Sequence, residues 1–206
     1  MTVSLIRNKT PAEVRADVES FAPRYVDDWD AWLQASADAR PELFGRILRK
    51  WQATRPVALR RLRCEARHEA PFLDDLLEAA EEPLRVLGGL SVLTIKDKTP
   101  GQNEALNSLW VNLSRLPTSG IASCVGITKA ILLLTDGRIG PAFDSQVQRK
   151  LGIRPTTCSE WLQTLEHIGE DIAEFERDHM ALTKVVPTRF AALAHGRLYD
   201  MALGPR

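Results

Sequence analysis

Helix-start signals recur along this chain, and they limit it to a mainly helical fold. Thr10-Pro11-Ala12-Glu13 pairs a capping hydroxyl with an acid three residues on and places proline in the first turn. This predicts a helix to about Phe21. Val26, Trp29, Trp32 and Leu33 recur at helical spacing, as do Leu43, Phe44, Ile47, Leu48 and Trp51 behind Pro41. Phe72, Leu73, Leu76, Leu77 and Ala80 mark another amphipathic face. After Pro83 the pattern fades. Ser91–Ile95 fits a short strand or one more turn, and Lys96–Gln102 reads as a loop. Helices are expected over Leu106–Leu116, Ile127–Leu134 and Asp144–Leu151. A long one follows from Thr156/Thr157 with Glu160 through Met180, and a last one over Thr188–Leu203. The expected fold is all-α, an irregular multi-helix bundle in one domain. It can divide into two lobes, 1–100 and 101–206.

The 206 residues are enough to bury a core without disulfides. Cys64, Cys124 and Cys158 are odd in number and not at metal-ligand spacing, so neither a disulfide framework nor a zinc site is expected. His68, His167, His179 and His195 show no ligand spacing either, and no phosphate-binding glycine loop appears. No metal or cofactor is therefore expected. MTVSLIRNKT lacks the apolar run of a signal peptide, and the densest apolar run, Ile131–Leu134, is too short to span a membrane. The expectation is a cytoplasmic protein with no membrane partner.

Lys+Arg and Asp+Glu each number 27, so the molecule has no overall positive field to draw nucleic acid. Charge is segregated, however. Arg46, Arg49, Lys50, Arg55, Arg60, Arg61, Arg63 and Arg67 stand against Glu65 alone. Asp74–Glu82 and Glu160–Asp178 are acidic. These runs fit solvated helix faces that pair across the fold. They also fit a phosphate-tracking surface around Arg60, Arg61 and Arg63, with Trp51 as a stacking group. Core packing is the default for Trp29, Trp32, Trp51, Trp110 and Trp161.

One segment carries more. Gly120–Ile153 reads GIASCVGITKAILLLTDGRIGPAFDSQVQRKLGI: a glycine turn, an apolar helix, a Gly/Pro loop, an Asp and a short basic helix. It resembles the core of the helix-hairpin-helix DNA glycosylase superfamily. Val125-Gly126 stands where the hairpin's second glycine falls, and Phe143-Asp144-Ser145-Gln146-Val147 stands where the family's catalytic-Asp stretch falls. Arg149-Lys150-Leu151-Gly152 continues the likeness. The chain departs from the pattern at Leu116-Pro117-Thr118-Ser119-Gly120, which is longer than the family's hairpin. The helix-to-Asp spacing is shorter by a couple of residues, and Gln146 stands where the family has His.

The resemblance implies that double-stranded DNA is the partner. Gly120, Gly126, Thr128 and Lys129 would form the hairpin grip, with Arg149, Lys150, Arg60 and Arg61 beside it. Such a grip uses amides at a helix start and needs no strongly basic protein. Asp144 would be the catalytic carboxylate beneath the sugar of a flipped base. Lys129 is a weaker candidate for the nucleophilic lysine of the bifunctional members, because Thr128 takes that place in the best alignment. Read from the residues alone, Asp144 is equally a helix N-cap and Lys129 a solvated helix-start lysine. Three functions stay open: a base-releasing enzyme, a DNA-binding scaffold without chemistry, and a helical interaction protein that binds no nucleic acid.

Overall fold

A computed structural model describes residues 5–66 and 70–205. Arg67 and His68, named above, lie outside the described residues. Ten α-helices follow in order: α1 (Pro11–Glu19), α2 (Pro23–Gln34), α3 (Arg40–Lys50), α4 (Leu73–Val86), α5 (Pro100–Leu113), α6 (Cys124–Leu134), α7 (Ser145–Leu151), α8 (Cys158–Asp178), α9 (Leu182–Val185) and α10 (His195–Leu203). Single 3-10 turns occupy Ile6–Asn8, Ala37–Ala39, Ile95–Asp97 and Thr188–Phe190. Among the described residues there is no strand beyond one isolated bridge between Leu59 and Pro117. The fold is all-α, as the helix signals predict. No helix among the described residues is long and apolar enough to cross a membrane.

The capping boxes predicted at Thr10/Glu13 and Thr157/Glu160 are formed, each hydroxyl accepting from the amide three residues on. Several boundaries differ from the expectation. Helix α4 runs through Pro83 to Val86, while Ser91–Ile95 takes the turn, one of its two expected forms. Helix α5 begins inside the expected loop, because Thr99 and Gln102 cap each other. The last expected helix, Thr188–Leu203, is broken into a 3-10 turn over Thr188–Phe190 and α10, and the short α9 ahead of it was not foreseen. Gly196, inside α10, lets two backbones meet: a Cβ there would stand 2.6 Å from the Gly137 carbonyl and 2.7 Å from the Gly140 amide.

Helix α6 is the centre of the molecule. Its residues from Gly126 to Leu133 are all buried, and α3 and α5 flank it. Helices α4 and α5 form the most extensive pair, α1 lies on α10, and α8 packs against the Ile6–Asn8 turn. Asp171 of α8 fixes that turn. Fully buried, it accepts from the amides of Ile6 (2.9 Å) and Arg7 (3.1 Å) and from the hydroxyl of Tyr199 on α10 (2.7 Å). The segregated charges pair across the fold in part: Arg49 with Glu65, Arg63 with Asp75, and Arg7 with Glu174.

Candidate nucleic-acid interface

Helices α5 and α6 are joined by a bend over residues 114–123. The Ala122 amide closes it on the Ser114 carbonyl at 2.8 Å. Gly120 sits at the tip with φ +71, a left-handed conformation that favours glycine. Thr118, Ser119, Gly120, Ile121 and Ser123 are exposed, and Ile121 is 81% exposed. The Ser123 side chain does not cap α6, so no side chain competes for the amides of its first turn.

A distant segment braces this bend. Leu59 bridges Pro117, the Thr118 amide donates to the Ala58 carbonyl (2.9 Å), and the Arg60 amide donates to the Leu116 carbonyl (2.9 Å). The Arg60 guanidinium donates from Nε to the Arg115 carbonyl at 2.7 Å. Arg60 and Arg115 thus flank the bend, Arg61 follows with an exposed side chain, and no carboxylate lies in the 115–123 stretch. Arg115 has no counterpart among the sequence-predicted residues. Only the bridge between segments far apart in sequence reveals it.

Two expected grip residues turn inward instead. Gly126 is buried, and a Cβ there would lie 2.3 Å from the Ala53 carbonyl oxygen. Its lack of a side chain serves backbone packing rather than approach of a phosphate. Thr128 is 1% exposed; its hydroxyl donates to the Cys124 carbonyl (2.8 Å) and accepts from the Phe143 amide (2.9 Å). Trp51, expected as a stacking group, is 4% exposed and is not available for stacking.

Lys129 is the largest correction. It is not a solvated lysine: it is 9% exposed, and its Nζ donates to the Trp51 carbonyl at 2.5 Å. It lines a cavity of about 20 Å³ with Asp144, Asp200, Arg197, Trp51, Tyr25 and Phe21. Burial pushes the Lys129 pKa below its ordinary value, and the charges of Asp144 and Asp200 push it back up. Asp144 is the N-cap of α7. Its Oδ1 accepts from the amides of Gln146 (2.8 Å) and Val147 (2.9 Å), and Oδ2 accepts no hydrogen bond from the described residues. The cap reading and the cavity-facing reading therefore hold together. Trp110, by contrast, stacks on Trp161 with ring centroids 5.3 Å apart and does not line this cavity.

Sequence reasoning missed the other half of the cluster. Arg197 is 1% exposed. It bonds Asp200 at 2.5 Å and the Tyr25 carbonyl at 3.1 Å, and lies over the rings of Trp29 and Phe21. Its Nε has no hydrogen-bond partner among the described residues. Burial raises Asp200 to about 6, opposed by Arg197 and reinforced by Asp144. Two acids and two bases thus meet at one small cavity. Tyr25 and Trp51 stand at its side edge to face, ring centroids 5.6 Å apart. Asp28 holds Trp51 in place by accepting from its Nε1 (2.9 Å) and from Lys50 (2.6 Å).

Arg149 and Lys150 lie on α7, Arg149 exposed and Lys150 half-buried. No group of three or more His, Cys, Asp or Glu side chains suited to a metal occurs among the described residues. His195 instead contacts Glu176 at 3.1 Å, and His179 lies against Phe175. Burial pushes the Cys124 thiol up to about 12 and the Cys158 thiol up to about 11, which makes both poor nucleophiles. No protein-family model, curated protein or solved structure matches the chain.

Proposed function

We propose that this chain is a double-stranded-DNA-binding protein of the helix-hairpin-helix glycosylase type, with Asp144 as its reacting carboxylate and Lys129 beside it. One observation carries the reading: Lys129 and Asp144, the two candidate reacting residues, line the same cavity. The alignment favours Thr128 at the lysine's place. The cavity favours Lys129, because Thr128 is spent on two backbone groups.

In this reading the exposed bend and the rim of Arg60, Arg61 and Arg115 hold the phosphate backbone. A nucleotide leaves the stack and its sugar comes to Asp144. The C1′–N bond breaks, its electron pair going to the base, which takes up a proton. Water adds at C1′. Asp144 stabilises the positive charge that builds on the sugar. Lys129 keeps an amine of lowered pKa next to it, the condition a nucleophilic lysine requires. A cavity of about 20 Å³ has room for about one water. A sugar enters only if the Tyr25–Trp51 side gives way.

That small volume favours a second reading, a DNA-binding scaffold without chemistry. A helical interaction protein that binds no nucleic acid is the third outcome. One experiment separates them: duplexes carrying modified, damaged and abasic nucleotides are tested for binding and base release with the natural chain and with Asp144→Asn. Asn is as good an N-cap as Asp, so stability should hold while base release is lost. Binding without release across the panel selects the scaffold. No binding at low salt, or binding whose salt slope is untouched by Arg60→Ala with Arg61→Ala, refutes the DNA reading.

A further inference from the structure

One open groove is left unused by the hairpin and the cavity. It has a volume of about 430 Å³ and is lined by Ser145, Gln148, Arg149, Gly152, Ile153 and Arg154. Its position is informative. Ser145 follows Asp144 directly, so the groove opens one residue from the carboxylate at the cavity. Its other end, at Arg154, lies just ahead of the Thr157 cap of α8. The starts of α8 and α6 are neighbours, since Cys158 and Glu160 act electrostatically on Cys124. The groove thus follows α7 from the residue after Asp144 to the segment that leads into α8.

Its chemistry is one-sided. No acidic side chain lines it. Among the described residues, Arg149 hydrogen-bonds the neutral Gln146 and Arg154 is exposed with no ion pair. Many other arginines on this surface are neutralised: Arg7, Arg15, Arg49, Arg63 and Arg85 each hold a carboxylate. Glu160 lines the adjoining hollow with Arg154. Its carboxylate is turned to the helix start, accepting from the amides of Thr156 and Thr157. At the groove itself, Ser145 adds a hydroxyl and Ile153, 41% exposed, adds an apolar contact. Two uncompensated guanidinium groups, a hydroxyl and one apolar side chain suit a sugar-phosphate strand, because guanidinium forks bind phosphate and the apolar surface covers sugar.

We infer that this groove, through Arg154 with Arg149, binds the backbone of the DNA strand that passes Asp144, a second phosphate track beyond the hairpin. The inference rests on the DNA reading above and adds Arg154 as a binding residue that the motif does not contain.

The test is duplex binding by the full chain, followed by fluorescence anisotropy across a salt series, for the natural protein and for Arg154→Ala, Arg149→Ala with Arg154→Ala, and Arg177→Ala. Arg177 is an exposed cation on α8 paired with Asp178 and serves as the control. All three variants change exposed side chains, and unchanged thermal melts confirm intact folding. The slope of log affinity against log salt should flatten by about one for Arg154→Ala and by about two for the pair. Low-salt affinity should drop roughly tenfold per arginine, and Arg177→Ala should match the natural chain. Binding with a natural slope in Arg154→Ala overturns the groove and leaves the hairpin reading standing. An equal loss in Arg177→Ala also overturns it, because the effect is then general charge. No duplex binding by the natural chain overturns both.

Discussion

Gly126→Ala tests what the buried glycine of α6 does. The added methyl would stand 2.3 Å from the Ala53 carbonyl oxygen, 3.2 Å from its carbon and 3.7 Å from the Ala122 Cβ. The first of these falls short of van der Waals contact by about 1 Å. Neither side yields easily. Helix α6 is buried from Gly126 to Leu133, and the opposing segment is pinned by the Ala53 amide on the Leu48 carbonyl (3.0 Å) and by Lys129 on the Trp51 carbonyl. Overpacking of this kind costs about 3 kcal/mol. Alanine returns about 1 kcal/mol of helix propensity, so the net loss should be about 2 kcal/mol. For a chain of 206 residues that is a fall in Tm of roughly 4–8 °C. Thermal and urea melts measure it, with Gly101→Ala as control. A Cβ at Gly101 meets nothing within 4 Å, so that variant should hold or gain up to about 1 kcal/mol. If Gly126→Ala melts like the natural chain but loses DNA affinity, the packing argument is wrong and the glycine serves the ligand.

Three further outcomes are expected. Asp171→Ala strips acceptors from the Ile6 and Arg7 amides and the buried Tyr199 hydroxyl; it should cost about 3–5 kcal/mol in urea melts, and a loss under about 1.5 kcal/mol would refute the staple. Burial raises Asp200 from 3.8 to about 6, so between those values the folded chain holds a proton that the unfolded chain releases. Its contribution to stability is complete below about pH 4 and is lost as pH rises through about 6; subtracting the urea midpoints of Asp200→Asn from those of the natural chain should expose this decline, and a difference that rises with pH would contradict it. Of the three thiols, only exposed Cys64 should react promptly with a disulfide reagent, with Cys124 and Cys158 following on unfolding; more than one fast equivalent would show that the core opens.

Helices were legible wherever local chemistry decides them. Thr10/Glu13 and Thr157/Glu160 cap as their spacing predicts, and Asp144 starts α7 as an N-cap should. Thr99-Pro100-Gly101-Gln102 held the same information, but its proline and glycine read as loop, and α5 was placed too late. The candidate site was half legible. Asp144 and Lys129 were named, yet a lysine at a helix start looks solvated until Trp51, 78 residues away, presents its carbonyl. Arg197 and Asp200 gave no signal, because charged residues on a short helix normally face water. Helix α10 is instead buried from Gly196 to Leu203, and its charges meet only inside the fold. Arg115 became a rim residue through the Leu59–Pro117 bridge, a contact that no local pattern encodes.

That bridge has a consequence for how the molecule can be divided. The bend belongs to residues 114–123, but the backbone that steadies it, and Arg60 on its flank, come from residues 58–60. A fragment spanning only 101–206 would keep the motif's letters and lose the strut that holds them in shape. Anchoring DNA in this way would be a property of the assembled chain, appearing only once both halves have found each other.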